Sequence, residues 1–361
     1  MRPEIKTAII MSIIISGAVG ILGVYFSSLD QVQNPNIQTD NPIDKNRLKK
    51  APELTGIAGY INTNADELQQ KIKNKVVLYD IWTYSCINCQ RTLPYITAWD
   101  EKYSDQGLVI IGIHSPEFEF EKDINNVKLA SEKFGIKYPV ILDNDKEIWD
   151  AFENRYWPRK YLADDEGYIR YDHIGEGAYD ETEKIIQQLL QERATKLGLD
   201  IASAQPIVEI KEFDSESRTP ELYFGYDFAY GRSQIGNPEG FRPQQQVTYT
   251  IPDKLHENNF YLDVTWENLS DRMILKSESG KIILPYFAKE LNIVASGDSE
   301  IEVLLDGKKI SEQDSGVDVV SGKVTVKEAT LYNLIKTVEA SSHVLEVQAK
   351  PGFEIYTFTF G

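Results

Sequence analysis

The 361 residues contain two cysteines, spaced as Cys86-Ile87-Asn88-Cys89. Two thiols at this spacing can close into a disulfide and be opened again by another thiol, so the pair is suited to dithiol–disulfide exchange. An apolar run of buried-strand type, Val76–Trp82, comes just before it, and a helix is predicted over 90–103. A helix N-terminus offers unpaired N–H groups and a partial positive charge. Both favour a thiolate there, which makes Cys86 the expected attacking thiol. Cys89 lies one helical turn on and is the expected resolving thiol, opening the mixed disulfide. The usual rival is a structural metal, which normally needs clustered Cys or His ligands. Here His114, His173, His256 and His343 are scattered and there is no second cysteine cluster. No metal or other cofactor is expected.

Asp80 sits six positions before Cys86, inside the apolar run. Burial of a carboxylate is costly and raises its pKa. A carboxyl titrating near neutrality under the pair could shuttle the proton of Cys89. The weaker alternative is an aspartate on an exposed strand end.

These residues need a scaffold. Over 51–200, strands predicted at 108–113, 138–142, 160–163 and 168–173 alternate with helices at 126–134, 146–153 and 181–197. A turn at Asp165-Glu166-Gly167 joins the last two strands. Such alternation argues for an α/β layer architecture. From 206 to 361 the style changes. Phe260, Leu262, Val264 and Trp266 alternate with polar partners as in one half-buried strand. Residues 301–305 lead into Asp306-Gly307, a hairpin signal, and 344–347 and 353–360 supply further strands. Short strands with regular turns suggest an all-β sandwich.

At the N-terminal end, 7–29 carries no charge, while Arg2 and Lys6 precede it and Asp30 comes after it. The run is long enough to span a bilayer, and the charge bias places the rest of the chain outside the cytoplasm. Residues 1–29 are read as an uncleaved anchor and 30–50 as a polar linker; a cleaved signal peptide would give the same compartment. The net charge of −18 argues against nucleic acid as a partner.

The stretch from Asp80 through Cys89 resembles the active-site segment of thioredoxin-like proteins of the TlpA and DipZ type. Trp82 to Arg91, Thr92-Leu93-Pro94, Gly112 through Phe118 and Tyr156-Trp157-Pro158 are similar to the extracytoplasmic part of DipZ. So are Arg218-Thr219-Pro220-Glu221 through Gly225 and the final Tyr356 through Gly361, and the resemblance covers 51–361. It implies an α/β thioredoxin-like domain followed by an all-β jelly-roll sandwich similar to carbohydrate-binding modules. It also implies a cis Pro158 whose backbone faces the cysteines, where an ordinary loop proline would be trans. Trp82 and Trp157 become candidate binding residues. His114 and Glu117 are expected near the cysteines, tuning their protonation, against a bland reading of His114 as a packed strand end. Glu119 and Glu121 are expected to be solvated. The resemblance further implies protein disulfides as substrates and a separate membrane electron donor of the CcdA type. Ile87-Asn88 replaces the Gly-Pro of thioredoxin itself, so thioredoxin's potential does not carry over.

Tyr223, Phe224, Tyr226, Phe228 and Tyr230 could stack on a carbohydrate, but core packing is the favoured reading. Asn268-Leu269-Ser270 matches a glycosylation sequon. Two other functions compete with the enzyme reading. One is a surface-anchored binding module with a static disulfide. The other is peroxide reduction at Cys86, for which no Thr–Arg pocket is recognisable.

Overall fold

The computed structural model describes residues 45–199 and 207–361. The expected anchor at 1–29 and the linker up to residue 44 lie outside the described residues. Among the described residues, no helix is long and apolar enough to cross a membrane.

The first half builds a six-stranded sheet from β1 (Gly59–Ile61), β2 (Val76–Trp82), β3 (Leu108–His114), β4 (Val140–Leu142), β5 (Arg159–Ala163) and β6 (Ile169–Ile174). Its order is β1-β4-β3-β2-β5-β6. β2, β3 and β4 run parallel, and β5 joins β2 antiparallel. The helices are α1 (Ala65–Ile72), α2 (Ile87–Tyr103), α3 (Ile124–Lys133), α4 (Glu147–Ala151) and α5 (Tyr179–Leu197).

Every residue of β2 is buried, as expected for a central strand covered on both faces. Alternate side chains go to opposite faces. Val76, Leu78 and Trp82 pack with Cys89, Leu93, Ile96 and Ile186 of α2 and α5. Val77, Tyr79 and Ile81 pack with Leu68, Ile148 and Trp149 on the other side. Asp80 shares the parity of Leu78 and Trp82, which turns it toward the layer that carries Cys89. Gly112 stands opposite Asp80 on β3. A Cβ there would lie 3.0 Å from Trp82 Nε1 and 3.2 Å from the Tyr138 ring, so glycine is what lets those rings close over the strand.

α2 starts three residues earlier than expected because Cys86 caps it with its own sulfur, which accepts the Cys89 N–H at 3.3 Å. The other elements predicted over 51–200 match to within a few residues, whereas β1 and α1 have no counterpart in the sequence reading.

The second half is β-rich. Its strands are β7 (Leu222–Tyr223), β8 (Gln246–Tyr249), β9 (Tyr261–Leu262), β10 (Val264–Asn268), β11 (Met273–Leu275), β12 (Gly280–Ser296), β13 (Ser299–Leu305), β14 (Lys308–Lys309), β15 (Lys323–Val326), β16 (Thr330–Ala349) and β17 (Glu354–Phe360). A short helix, α6 (Tyr226–Ala229), comes after β7. The strands form one hydrogen-bonded network around a shared core that includes Trp266, Leu284, Ile293, Val347 and Phe358. β12 pairs with β16 along most of its length, while its other edge takes β9 near Ile282 and β17 from Leu291 onward.

The single strand expected around 260–267 is two strands. The chain changes partner at Asp263: β9 pairs with β12, whereas β10 pairs with β8 and β11. Val264 takes a left-handed φ of 54° at this break, and Tyr261 is buried against the expected alternation. The Asp306-Gly307 hairpin is as expected, with φ of 51° and 74°, the signs a type I′ turn requires.

The two halves touch beside the cysteines. The Tyr84 hydroxyl donates to the Ala329 carbonyl at 3.1 Å. Ile87, Phe118, Tyr223, Leu331 and Tyr356 share one apolar cluster.

Candidate active site

Cys86 is half-buried and Cys89 buried, and both are free thiols. Burial drives the Cys89 pKa well above the ordinary thiol range; Cys86 and Asp80 add to the rise, and a backbone hydrogen bond from Thr83 opposes it. The buried thiol therefore needs a base to take its proton before it can attack.

Asp80 is 1% exposed, which excludes the strand-end alternative. Burial raises its pKa to about 7, and Lys160 pulls it down. Asp80 Oδ1 has no hydrogen-bond partner among the described residues. Lys160 stands directly opposite Asp80 on β5 and is itself completely buried. Burial lowers its pKa to about 8, against the pull of Asp80, Cys89 and Glu176. Its Nζ donates to the Gly175 carbonyl at 3.2 Å. Lys160 is absent from the sequence-derived set. Its role comes from the β2–β5 register, which sets it against Asp80 and which sequence periodicity does not supply.

The Trp157-Pro158 peptide is cis, and Pro158 is buried with its carbonyl accepting the Gly175 N–H at 2.8 Å. Trp157 is half-buried; its Nε1–H donates to the Ser115 carbonyl, and its ring lies 4.2 Å from that of Trp149. Trp82 is wholly buried beneath the turn, edge-on to His114 at 5.2 Å, so it has no surface with which to bind a substrate.

His114 is fully buried, within 3.3 Å of the Thr83 hydroxyl and stacked on Tyr84. Burial lowers its pKa to about 3, which keeps the imidazole neutral. Glu117 turns toward the second half of the chain, where the Tyr223 hydroxyl lies 2.9 Å from it and also 2.9 Å from Glu221. Among the described residues, neither His114 nor Glu117 has a hydrogen bond or ion pair with either cysteine. Glu119 is exposed as expected, but Glu121 is fully buried. Its carboxylate holds the turn that leads into Cys86. A buried guanidinium, Arg91, lies on α2 with Glu176 at 3.6 Å, Glu290 at 3.7 Å and the Phe213 ring at 3.6 Å.

The aromatic stretch goes mainly inward. Tyr223 and Phe224 are buried, Phe228 stacks on Tyr223, and Tyr230 is exposed. Asn268 is fully buried, with its Oδ1 accepting from the Tyr249 hydroxyl and the Arg242 N–H. An amide engaged in this way cannot carry a glycan in the folded chain. Among the described residues, no group of three His, Cys, Asp or Glu is placed to hold a metal ion.

Two family patterns match the chain. Residues 49–190 match Redoxin, and residues 219–361 match the thioredoxin-like C-terminal domain. Protein DipZ of Mycobacterium tuberculosis is 33% identical over 313 residues, covering 86% of this chain and 43% of DipZ. The chain thus spans less than half the length of that relative. The thiol-disulfide oxidoreductase YkuV of Bacillus subtilis is 32% identical over 141 residues, covering 39% of this chain and 94% of YkuV.

Proposed function

Because this chain belongs to the DipZ-type thioredoxin-like proteins, we propose that it is a thiol–disulfide oxidoreductase reducing protein disulfides through Cys86 and Cys89. The observation that carries this reading is the placement of the pair. Half-buried Cys86 caps a helix with its sulfur, and buried Cys89 lies close enough to the titratable Asp80 to feel its charge.

In the proposed cycle, Cys86 Sγ attacks one sulfur of a substrate disulfide. A mixed disulfide forms and one substrate thiolate leaves. Asp80 then takes the Cys89 proton, and Cys89 Sγ attacks Cys86 Sγ. The second substrate thiolate leaves, and Cys86 and Cys89 end as a disulfide. Two electrons pass to the substrate. Lys160 keeps the Asp80 carboxylate accessible at neutral pH. Pro158 and Trp157 form the neighbouring wall along which a substrate segment lies.

The uncharged run at 7–29 supports anchoring in a membrane with the remainder outside the cytoplasm. In this reading 51–200 is the exchange domain, and 206–361 is a jelly-roll related to carbohydrate-binding modules. A membrane donor of the CcdA type would restore the dithiol. Carbohydrate binding is left to the second domain, where Tyr230 is the exposed aromatic of the 223–230 stretch.

The test is the equilibrium reduction potential of the pair. A value near or below about −250 mV supports a reductase fed by a donor, whereas one near about −120 mV means an enzyme that introduces disulfides. A static disulfide would lie below about −300 mV and show no turnover.

A further inference from the structure

We infer that Glu121 is a positioning residue for the exchange reaction, clamping the turn that presents Cys86 and tying that turn to the second domain. The inference rests on the reading of Cys86 as the attacking thiol. Glu121 belongs to a run of alternating acidic and aromatic residues that sequence alone places in solvent, yet it is completely buried. Its Oε1 accepts the Ser85 backbone N–H at 3.3 Å and the Ser85 hydroxyl at 2.5 Å. Its Oε2 accepts the N–H groups of Glu117 at 2.6 Å and Phe118 at 3.0 Å. A buried carboxylate is tolerated when its oxygens are filled by donors, and here four neutral donors fill them.

What these donors belong to gives the carboxylate its role. Ser85 immediately precedes Cys86, whose N–H donates to the Thr83 carbonyl at 3.4 Å and whose sulfur accepts the Cys89 N–H. Ser85 is thus gripped by both backbone and side chain at the residue that sets the direction of the Cys86 sulfur. On the other oxygen, Phe118 packs its ring against Tyr356 at 5.1 Å and Phe228 at 5.6 Å, both from the second half of the chain. Glu117 meets Tyr223 there as well. One side chain therefore links the docked second domain to the attacking sulfur in two steps. Thiol–disulfide exchange needs the attacking sulfur held in a narrow approach to the target bond, and a displacement of about 1 Å can cost about 10²-fold in rate.

The test uses the full chain and the variants Ser85→Ala and Glu121→Gln. Three quantities are read: the rate of reaction of the reduced protein with glutathione disulfide, the exchange equilibrium with glutathione, and the thermal midpoint. Ser85→Ala leaves the carboxylate in place and cuts one link. It is expected to slow the reaction about tenfold and to move the equilibrium constant about tenfold, which is about 30 mV for two electrons. Glu121→Gln is expected to do more, because its amide N–H groups confront donors. If both variants lower the thermal midpoint while rate and equilibrium stay within about twofold of the parent, Glu121 is a structural staple and the inference is overturned. If Glu121→Gln fails to fold, Ser85→Ala decides alone. A parent protein that does not exchange with glutathione at all defeats the underlying reading, and this one with it.

Discussion

Asp80 of β2 and Lys160 of β5 are direct cross-strand neighbours, both buried and both acting on Cys89 from below. Burial pushes each toward its neutral form, the carboxyl up to about 7 and the ammonium down to about 8, while each holds the other charged. Each charge is tolerated in the interior because the other is present. In the proposed cycle this makes Asp80 a proton acceptor poised at the pH where the exchange would run.

Asp80→Asn removes that acceptor. The attack of Cys86 on substrate should persist, while the closing step by Cys89 slows about 10²-fold at pH 7. In the parent, the closing rate rises as pH passes about 7 and the carboxylate forms. In the variant this inflection disappears. Stopped-flow traces of mixed-disulfide decay from pH 5 to 9 would show it, and an unchanged inflection would assign the proton transfer to another group.

Lys160→Met removes the cation that favours the Asp80 carboxylate. The Asp80 pKa then rises, and the activity inflection moves to higher pH than in the parent. The cost in fold stability should be limited, because Asp80 answers the lost charge by holding its proton. Carbon-13 titration of the aspartate carboxyls measures the shift directly. A midpoint that falls or stays put would show that the pair does not interact as its geometry requires.

Much of this site is legible in the chain itself. Asp80 could be found because a carboxylate stands out in Val76–Trp82, and the cysteines because strand and helix flank them. Lys160, Glu121 and Tyr223 were hidden for a common reason: each acquires its role from a partner distant in sequence, which periodicity cannot supply. Glu121 looks like any exposed acid until Ser85, 36 residues earlier, is seen to bond to it. In the second half, the local run at 344–347 marks only the end of β16. The preceding residues from Lys336 to His343 are largely polar and half-exposed, so they give no alternation to read. The strand is held there by pairing with β12.

The two cysteines should separate cleanly by reactivity. Cys89 is buried and its thiol lies far above the ordinary range, whereas Cys86 is half-exposed. Iodoacetamide at pH 7 should modify Cys86 at least about tenfold faster, as peptide mass spectrometry would resolve. Cys89→Ser should accumulate a mixed disulfide with a protein substrate, visible on a non-reducing gel. Cys86→Ser should form none. A trapped complex in Cys86→Ser in place of Cys89→Ser would reverse the assigned roles.

The domain interface should respond to pH through Glu117. The Tyr223 hydroxyl lies 2.9 Å from both Glu117 and Glu221 but has one proton, so the second contact needs a proton on a carboxyl. Burial, with Glu221 and Glu121 nearby, raises the Glu117 pKa to about 8, while Tyr223 and Lys146 pull it down. Burial raises Glu221 as well, with Tyr223 and Arg232 opposing. A carboxyl whose folded pKa lies above its unfolded value holds its proton better in the native state. Stability from this cluster is therefore present below the ordinary carboxylate range and is lost as pH rises from there through about 8. Glu117→Gln keeps the acceptor oxygen without the charge. It should flatten the fall in stability between pH 5 and 8 and leave the variant more stable than the parent at pH 8. Urea unfolding across that range measures this. Parallel curves for parent and variant would mean that both carboxyls ionise freely in the fold and that the interface holds no extra proton.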